Sequence, residues 1–249
     1  MQRFKLIIEY DGRPYAGWQR QKNAPSVQQE MEKAFAKFDT GKKFTVQCSG
    51  RTDTGVHALG QVAHADLTRE MTADAVMGAF NYHLGDHPIT VLAAEAVSND
   101  FHARFSATKR HYVYRILNRR TPLTFQDGLV WGVKPKLDVA AMHEAAQVLV
   151  GEHDFTTFRH VHCQAESPVK TVDYLNVAQV GEEIHVTAGA RSFLQHQIRS
   201  FTGSLKLVGA GKWSKADLAD ALAAKNRARL MLNAPPDGLY FKNVEFAAE

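Results

Sequence analysis

The run Ser49-Gly50-Arg51-Thr52-Asp53-Thr54-Gly55-Val56-His57 sets a carboxylate in a short polar loop bracketed by two glycines. In an extended loop Arg51 and Asp53 project to the same side, because side chains alternate with a period of two. A guanidinium beside a carboxylate favours its ionised form. Asp53 is therefore unsuited to donating a proton. It is suited to acting as an anion, either as a nucleophile or as a stabiliser of positive charge. It needs no activation, since an ordinary aspartate with a pKa of ~3.9 is already ionised at neutral pH. The same residues also fit a plain turn in which Asp53 bonds nearby backbone amides.

Other chemistries have less support. The chain contains no GxGxxG, Walker A, HExxH or GxSxG run, so hydride transfer, phosphoryl transfer and hydrolase-elbow chemistry lack their usual carriers. Among 12 histidines, His83 and His87 stand four apart, but Gly85 and Pro88 make that stretch a turn rather than one helical face. His160, His162 and Cys163 alternate without a complete ligand set, so hydrogen-bonded or surface histidines are expected and a metal is not. The cysteines, Cys48 and Cys163, form no CxxC. A reducing cytoplasm is the expected compartment, with a single disulfide left open.

The formal charge is +4, but local charge says more. Phe101 to Arg120 holds Arg104, Lys109, Arg110, Arg115, Arg119 and Arg120, no acid, and the rings of Phe101, Phe105, Tyr112 and Tyr114. Arg13 to Lys22 is similar, with Arg13, Arg20 and Lys22 around Tyr15 and Trp18. Cations interleaved with aromatics suit a polyanion whose bases are unstacked. They equally suit a solvated sheet face with its rings turned inward. Arg199 follows Gln195-His196-Gln197 on an expected helix, where an arginine is ordinarily a surface residue.

These residues need a scaffold. Phe4 to Tyr10 alternates as a strand. Ser26 caps a helix, with Gln29 completing a capping box and Val27, Met31, Ala34, Phe35 and Phe38 following at helical spacing. Phe44 to Cys48 and Val62 to Leu67 read as strands, Thr72 caps a second helix, and Ile89 to Val97 is a strand. The order β-α-β-β-α-β is the ferredoxin-like signature. Arg110 to Asn118 alternates, and Gly128 to Val133 returns as its hairpin partner. Asp138 caps a helix running to Val150 with Gly151 as its stop. Val172 to Val180 and Ile184 to Ala190 flank a Gly181-Glu182-Glu183 turn. Phe193 to Val208 reads as a long helix, Ser214 caps another to Lys225, and Leu239 to Phe246 closes as a strand.

The expected class is therefore α+β, with two halves of antiparallel sheet backed by helices, divided as 1–105 and 106–249. A length of 249 residues suits one large domain or two small ones. With 45% hydrophobic and 22% charged residues, the composition is that of a soluble globular protein. No apolar run reaches the ~18 residues that suggest a membrane span, and the N-terminus does not read as a signal peptide.

Eight segments stand out along the chain: Ile8-Glu9-Tyr10-Asp11-Gly12, Gly17-Trp18-Gln19-Arg20-Gln21, Ser26-Val27-Gln28, the Gly50 to Ala58 loop, Phe101-His102-Ala103-Arg104-Phe105-Ser106-Ala107, Gly151-Glu152-His153-Asp154-Phe155, Phe193 to Arg199 and Gly238-Leu239-Tyr240. Together and in this order they resemble the tRNA pseudouridine synthase A family. The resemblance implies two ferredoxin-like or RRM-like halves forming a continuous sheet, helices on one face, a central basic cleft, a homodimer and no cofactor. It implies isomerisation of uridine to pseudouridine at positions 38, 39 and 40 of the tRNA anticodon stem-loop, with the target base taken out of its stack. Asp53 matches the family's catalytic aspartate. Tyr112 matches the tyrosine that packs on the target base, Arg51 the arginine that helps hold the RNA and its flipped-out state, and Arg199 the arginine expected to pair with the aspartate. Arg20, Lys109 and Arg110 are expected phosphate contacts from charge and position. Thr54 stands where the family usually has alanine, His111 where arginine is common, and Ser167-Pro168-Val169-Lys170 is a loose version of a family segment. The competing readings are a non-catalytic RNA-binding or chaperone protein with RRM-like halves, which lacks a Gly-Phe-Gly-Phe-like run, and a metal-dependent hydrolase, which lacks ordered histidine spacing.

Overall fold

Alternation carries the first strand: Phe4, Leu6, Ile8 and Tyr10 are buried along β1 (Gln2–Tyr10), as a half-buried strand requires. The computed structural model describes residues 1–40 and 45–247. Phe44, expected at the start of a strand, lies outside the described residues. Ser26 caps α1 (Val27–Phe38), its Oγ accepting from the Gln29 N–H at 3.3 Å and satisfying a donor that the first turn leaves over. Thr72 caps α2 (Ala73–Leu84) in the same way through the Ala75 N–H. Between the helices lie β2 (Gln47–Cys48) and β3 (His57–Leu67), and after them β4 (Ile89–Val97).

These elements, with β10 (Leu239–Phe246), make up a first compact unit of Met1–Arg110 and Tyr240–Glu249. Strand β1 lies antiparallel to both β3 and β4, and β2 lies antiparallel to β3. Strand β10 runs parallel to the start of β3, with Tyr240 opposite His57. The order is β4-β1-β3-β10, with β2 also on β3. Strand β3 begins at His57, five positions before the strand read from sequence at Val62. It is buried on nearly every residue, so it lacks the alternation that marks a one-sided strand. On the helical side Phe35 and Phe80 stack at 5.6 Å, and Phe38 meets Phe80 edge-on at 5.0 Å.

The second compact unit is His111–Leu239. It holds most of β5 (Ala107–Asn118), then β6 (Trp131–Val133), α3 (Val139–Ala146), β7 (Gly151–Asp154), β8 (Val169–Val180), β9 (Glu183–Ala190), α4 (Gln197–Gly209) and α5 (Lys215–Ala223). Its order is β5-β9-β8-β7. The β8–β9 hairpin turns through Gly181 at φ +60°. Phe155, Phe158 and Phe201 pack edge-to-face at 5.2–6.4 Å as its aromatic core.

Three local expectations change here. Strand β6 pairs with β5 in parallel, Ile116 opposite Trp131, and is no hairpin partner; the long connection from Arg119 to Val130 allows the crossover that a parallel pair needs. Helix α3 stops at Ala146 and tightens into a 3₁₀ turn over Gln147–Leu149. Helix α4 begins at Gln197, because His196 takes a left-handed conformation at φ +66°. The question of a disulfide also closes, since Cys48 and Cys163 are both free thiols. The described residues thus form five α-helices and mostly antiparallel strand pairs, and no helix among them is long and apolar enough to cross a membrane.

Phe80 is fully buried in the α1–α2 seam. Phe80→Ala is expected to lower the unfolding free energy by about 3–5 kcal/mol, read as a shifted urea midpoint with an unchanged slope.

Candidate active site

The loop carrying Asp53 leaves β2 and enters β3, and its first residues are tied to β3 atoms. The Ser49 N–H donates to Val62 O at 2.8 Å, and Ser49 Oγ donates to Gln61 Oε1 at 2.8 Å. The Gln61 amide in turn donates to Gly50 O at 2.7 Å. Thr52 is buried, with its Oγ1 2.8 Å from the Tyr10 hydroxyl at the end of β1. Burial drives the Tyr10 phenol far above its usual range, so the pair is a neutral hydrogen bond. A turn closes from the Val56 N–H to Asp53 O at 3.1 Å, with Gly55 at φ +77°.

The segment Gly12–Trp18 presses on this loop through main-chain contacts. The Trp18 N–H donates to Thr52 O at 3.1 Å, and the Gly55 N–H donates to Tyr15 O at 3.2 Å. Gly17 sits at φ +89°, and a Cβ there would stand 2.4 Å from Thr52 O. A Cβ on Gly12 would stand 2.1 Å from Val56 O. No side chain fits at either place, which is why the chain carries glycine. Beyond the loop, the Gly12 N–H and Asp11 Oδ1 both meet His57 Nδ1, at 3.1 and 3.2 Å. That ring stacks on Tyr240 at 4.7 Å. The result is a fixed main chain from which Asp53 projects half-buried and Arg51 projects exposed.

Arg110 braces the same loop. Its Nε and Nη2 donate to Ser49 O at 3.1 and 2.9 Å, Nη2 also to Arg104 O at 2.6 Å, and Nη1 to Ala107 O at 3.1 Å. These carbonyl acceptors fix the direction of the Arg110 guanidinium. Lys109 beside it is half-buried. Arg20 is exposed and faces Glu32 at 2.9 Å, which offsets part of its charge. Cys48, just ahead of the loop, is buried, and that burial pushes its thiol up to about 12; it is no nucleophile at neutral pH.

The other residues predicted for the site lie in the second unit. Tyr112 on β5 is half-buried, with its ring edge-on to Phe193 at 5.3 Å. Tyr114 is fully buried and donates its hydroxyl to Pro235 O at 2.7 Å, so the two tyrosines of this strand have different tasks. Arg199 lies in the first turn of α4. Its Nε donates to Ala234 O at 2.8 Å, and the Ala234 N–H donates to Arg199 O at 3.0 Å. Gly203, one turn on, makes room for this contact, since a Cβ there would stand 2.2 Å from Leu232 O.

Sequence reasoning passed over His196. Its left-handed backbone interrupts the expected helix and turns the imidazole toward Arg199, with Nε2 3.3 Å from Nη1. An arginine only donates, so Nε2 accepts from Nη1. On the other side of the ring Asn233 Nδ2 stands 3.2 Å from Nδ1, while Asn233 Oδ1 accepts the Ser200 hydroxyl at 3.3 Å. Burial, with Arg199, His160 and Arg227 adding to it, pushes His196 down to about 4. His160 packs on the His196 ring at 4.3 Å, and its Nδ1 accepts the His162 N–H at 3.2 Å. The His160–Cys163 cluster is thus a turn supporting His196. The signal available in the sequence was the cluster itself, without its partner.

Known proteins share this chain's sequence along nearly its whole length. The family model described as tRNA pseudouridine synthase matches residues 6–106 and 145–247. The chain is similar to the tRNA pseudouridine synthase A of Maricaulis maris, 56% identical over 246 residues, covering 99% of this chain and 98% of that one. It is likewise similar to that of Rhodospirillum centenum, 58% identical over 241 residues and covering 97% and 98%, and to that of Rhizorhabdus wittichii, 57% identical over 249 residues and covering 100% and 98%.

Two variants separate close approach from mere glycine content. Gly17→Ala is expected to cost about 1–3 kcal/mol through its strained φ and the clash with Thr52 O, whereas Gly78→Ala, which meets nothing within 4 Å on α2, gains about 0.5–1 kcal/mol; urea unfolding of both checks this. The pH dependence has a definite sign. The folded-state value of His196, about 4, lies below its ordinary ~6.5, so the unfolded chain takes up the proton first as pH falls. This stability is present above ~6.5 and lost on descending through about 4. His64, pushed to about 4 by burial with Arg3 and His102 adding to it, acts in the same direction. His196→Asn should therefore lose less stability than the wild type between pH 7 and pH 5, measured by urea midpoints at each pH.

Proposed function

The chain belongs to the tRNA pseudouridine synthase family and isomerises uridine to pseudouridine in tRNA, and from that premise we propose that it acts on the uridines at positions 38, 39 and 40 of the anticodon stem-loop with Asp53 as the catalytic residue. The N1–C1′ bond breaks, the uracil turns, C5 bonds to C1′, C5 loses a proton and N1 gains one. No redox change occurs, so this reading includes no cofactor. Asp53 serves by attacking C1′, by attacking C6 or by assisting a glycal route, and the two attacks require an ionised carboxylate. One observation carries the reading: Asp53 projects from a loop whose main chain is clamped by two close glycine contacts. A reacting group held in this way starts near its attack geometry, which is where an enzyme gains most over solution.

In this reading Tyr112 packs on the extruded base and Arg199 keeps the carboxylate ionised. Arg51 helps hold the flipped-out nucleotide, and Arg20, Lys109 and Arg110 meet phosphates in a basic cleft. The order β4-β1-β3 with β2 on the far side of β3 supports a ferredoxin-like first unit. A homodimer working in the cytoplasm belongs to the same proposal, and light scattering that gives a monomer at working concentration would remove the dimer from it.

Asp53→Asn is expected to abolish pseudouridine while leaving the circular dichroism spectrum and most tRNA affinity in place. Mapping pseudouridine in tRNA from cells with and without the gene should show loss at positions 38 to 40; product from Asp53→Asn at the wild-type rate would sink the assignment. Affinity for tRNA should also fall by orders of magnitude between about 50 and 200 mM salt, as filter binding would show.

A further inference from the structure

The basic stretch from Phe101 to Arg120 holds four aromatic rings, and the structure gives each a different setting. Tyr114 is buried, Tyr112 rests edge-on against Phe193, and Phe101 packs on Phe246 at 5.0 Å. Phe105 is 74% exposed. A single exposed apolar side chain is ordinary in itself. What distinguishes Phe105 is how firmly it is held and what surrounds it.

Its turn is closed by four hydrogen bonds. His102 Nδ1 accepts from the N–H groups of Arg104 and Phe105 at 3.1 and 3.3 Å. Ser106 Oγ accepts the His102 N–H, and the Ser106 N–H donates to His102 O, both at 2.9 Å. Behind the Phe105 ring lies the His102 ring at 4.4 Å, which rests on the buried His64 at 4.7 Å. Beside it the Arg104 guanidinium stands 5.5 Å from the ring centre. Arg110 then ties this turn to the Asp53 loop, since one guanidinium holds both Arg104 O and Ser49 O.

We propose that Phe105, backed by His102 and flanked by Arg104, is a stacking platform for an unpaired nucleobase of the tRNA substrate, held in fixed relation to the Asp53 loop by Arg110. The proposal rests on the tRNA reading above. A ring fixed in advance loses little freedom when a base stacks on it. The cation beside it serves a neighbouring phosphate, and the combination is sequence-tolerant because every base has a π-face. Charge complementarity selects RNA over an apolar partner, since from Phe101 to Arg120 the chain carries no acid.

The test uses the full chain in three variants, Phe105→Ala, Phe105→Leu and Phe105→Trp, with an unmodified tRNA transcript as probe. Because the side chain is exposed, all three should keep the wild-type circular dichroism and urea midpoint. Phe105→Ala and Phe105→Leu should weaken tRNA binding about 5- to 150-fold, the range for one base–aromatic stack, and raise KM in step while kcat at saturating tRNA changes little. Phe105→Trp should keep the affinity, and its added indole should be quenched by tRNA beyond the change shown by the three native tryptophans. Wild-type binding by Phe105→Leu or Phe105→Ala, or an unquenched indole, overturns the platform even if the enzyme makes pseudouridine normally. Loss of self-association in Phe105→Ala with unchanged tRNA affinity also overturns it, because the ring is then a contact between copies. If the wild type makes no pseudouridine but the quench and the affinity losses appear, the catalytic reading falls and the platform stands.

Discussion

Two carbonyl oxygens, Thr52 O and Val56 O, occupy the space that Cβ atoms on Gly17 and Gly12 would need. Everything at the Asp53 site depends on that contact. Loops are ordinarily the mobile part of a fold, and a catalytic group displaced by about an ångström loses much of its effect. Here the main chain on both sides of Asp53 is pinned by other main chain, while the buried Thr52–Tyr10 bond anchors it to the end of β1. The carboxylate need not be located by its own rotamer alone.

Specific acceptors position the arginines. Arg115 is paired with Glu183 at 2.6 Å, and with His185 it holds that carboxyl at about 2; Arg119 faces Glu182 at 3.7 Å. Both acids come from the β8–β9 turn, so two cations of the acid-free stretch are answered by a distant part of the chain. Arg110 donates to the carbonyls of Ser49, Arg104 and Ala107, and Arg199 donates to Ala234 O beside the neutral His196 ring. Carbonyl and imidazole acceptors fix the direction in which a guanidinium points. For Arg199 this arrangement includes a left-handed histidine, a conformation costing of order 1 kcal/mol that persists only when its surroundings require it.

Much was determined by local sequence. Ser26, Thr72, Asp138 and Ser214 cap the helices they were read to cap, because a cap is a contact between residues two or three apart. The alternating run at Phe4–Tyr10 and the apolar run at Ile89–Val97 are strands, and the Gly50–Gly55 bend is a loop carrying Asp53, because these patterns are also short-range. The family, and with it the reaction, was legible from motifs spread along the chain.

What tertiary structure decided was everything set by residues far apart in sequence. The first half of β3 is covered on both faces, so no period announced it. The parallel pairing of β6, the late start of α4 after His196 and the acids that answer Arg115 and Arg119 all depend on partners 15 or more residues away or on backbone strain that packing sustains. The interleaving of rings and cations left open whether Phe105 faced water or core, and only packing separated it from Tyr114. Residue type specifies which interactions a side chain is able to make; the folded backbone selects which of them it does make, because each donor and ring can satisfy few partners at once.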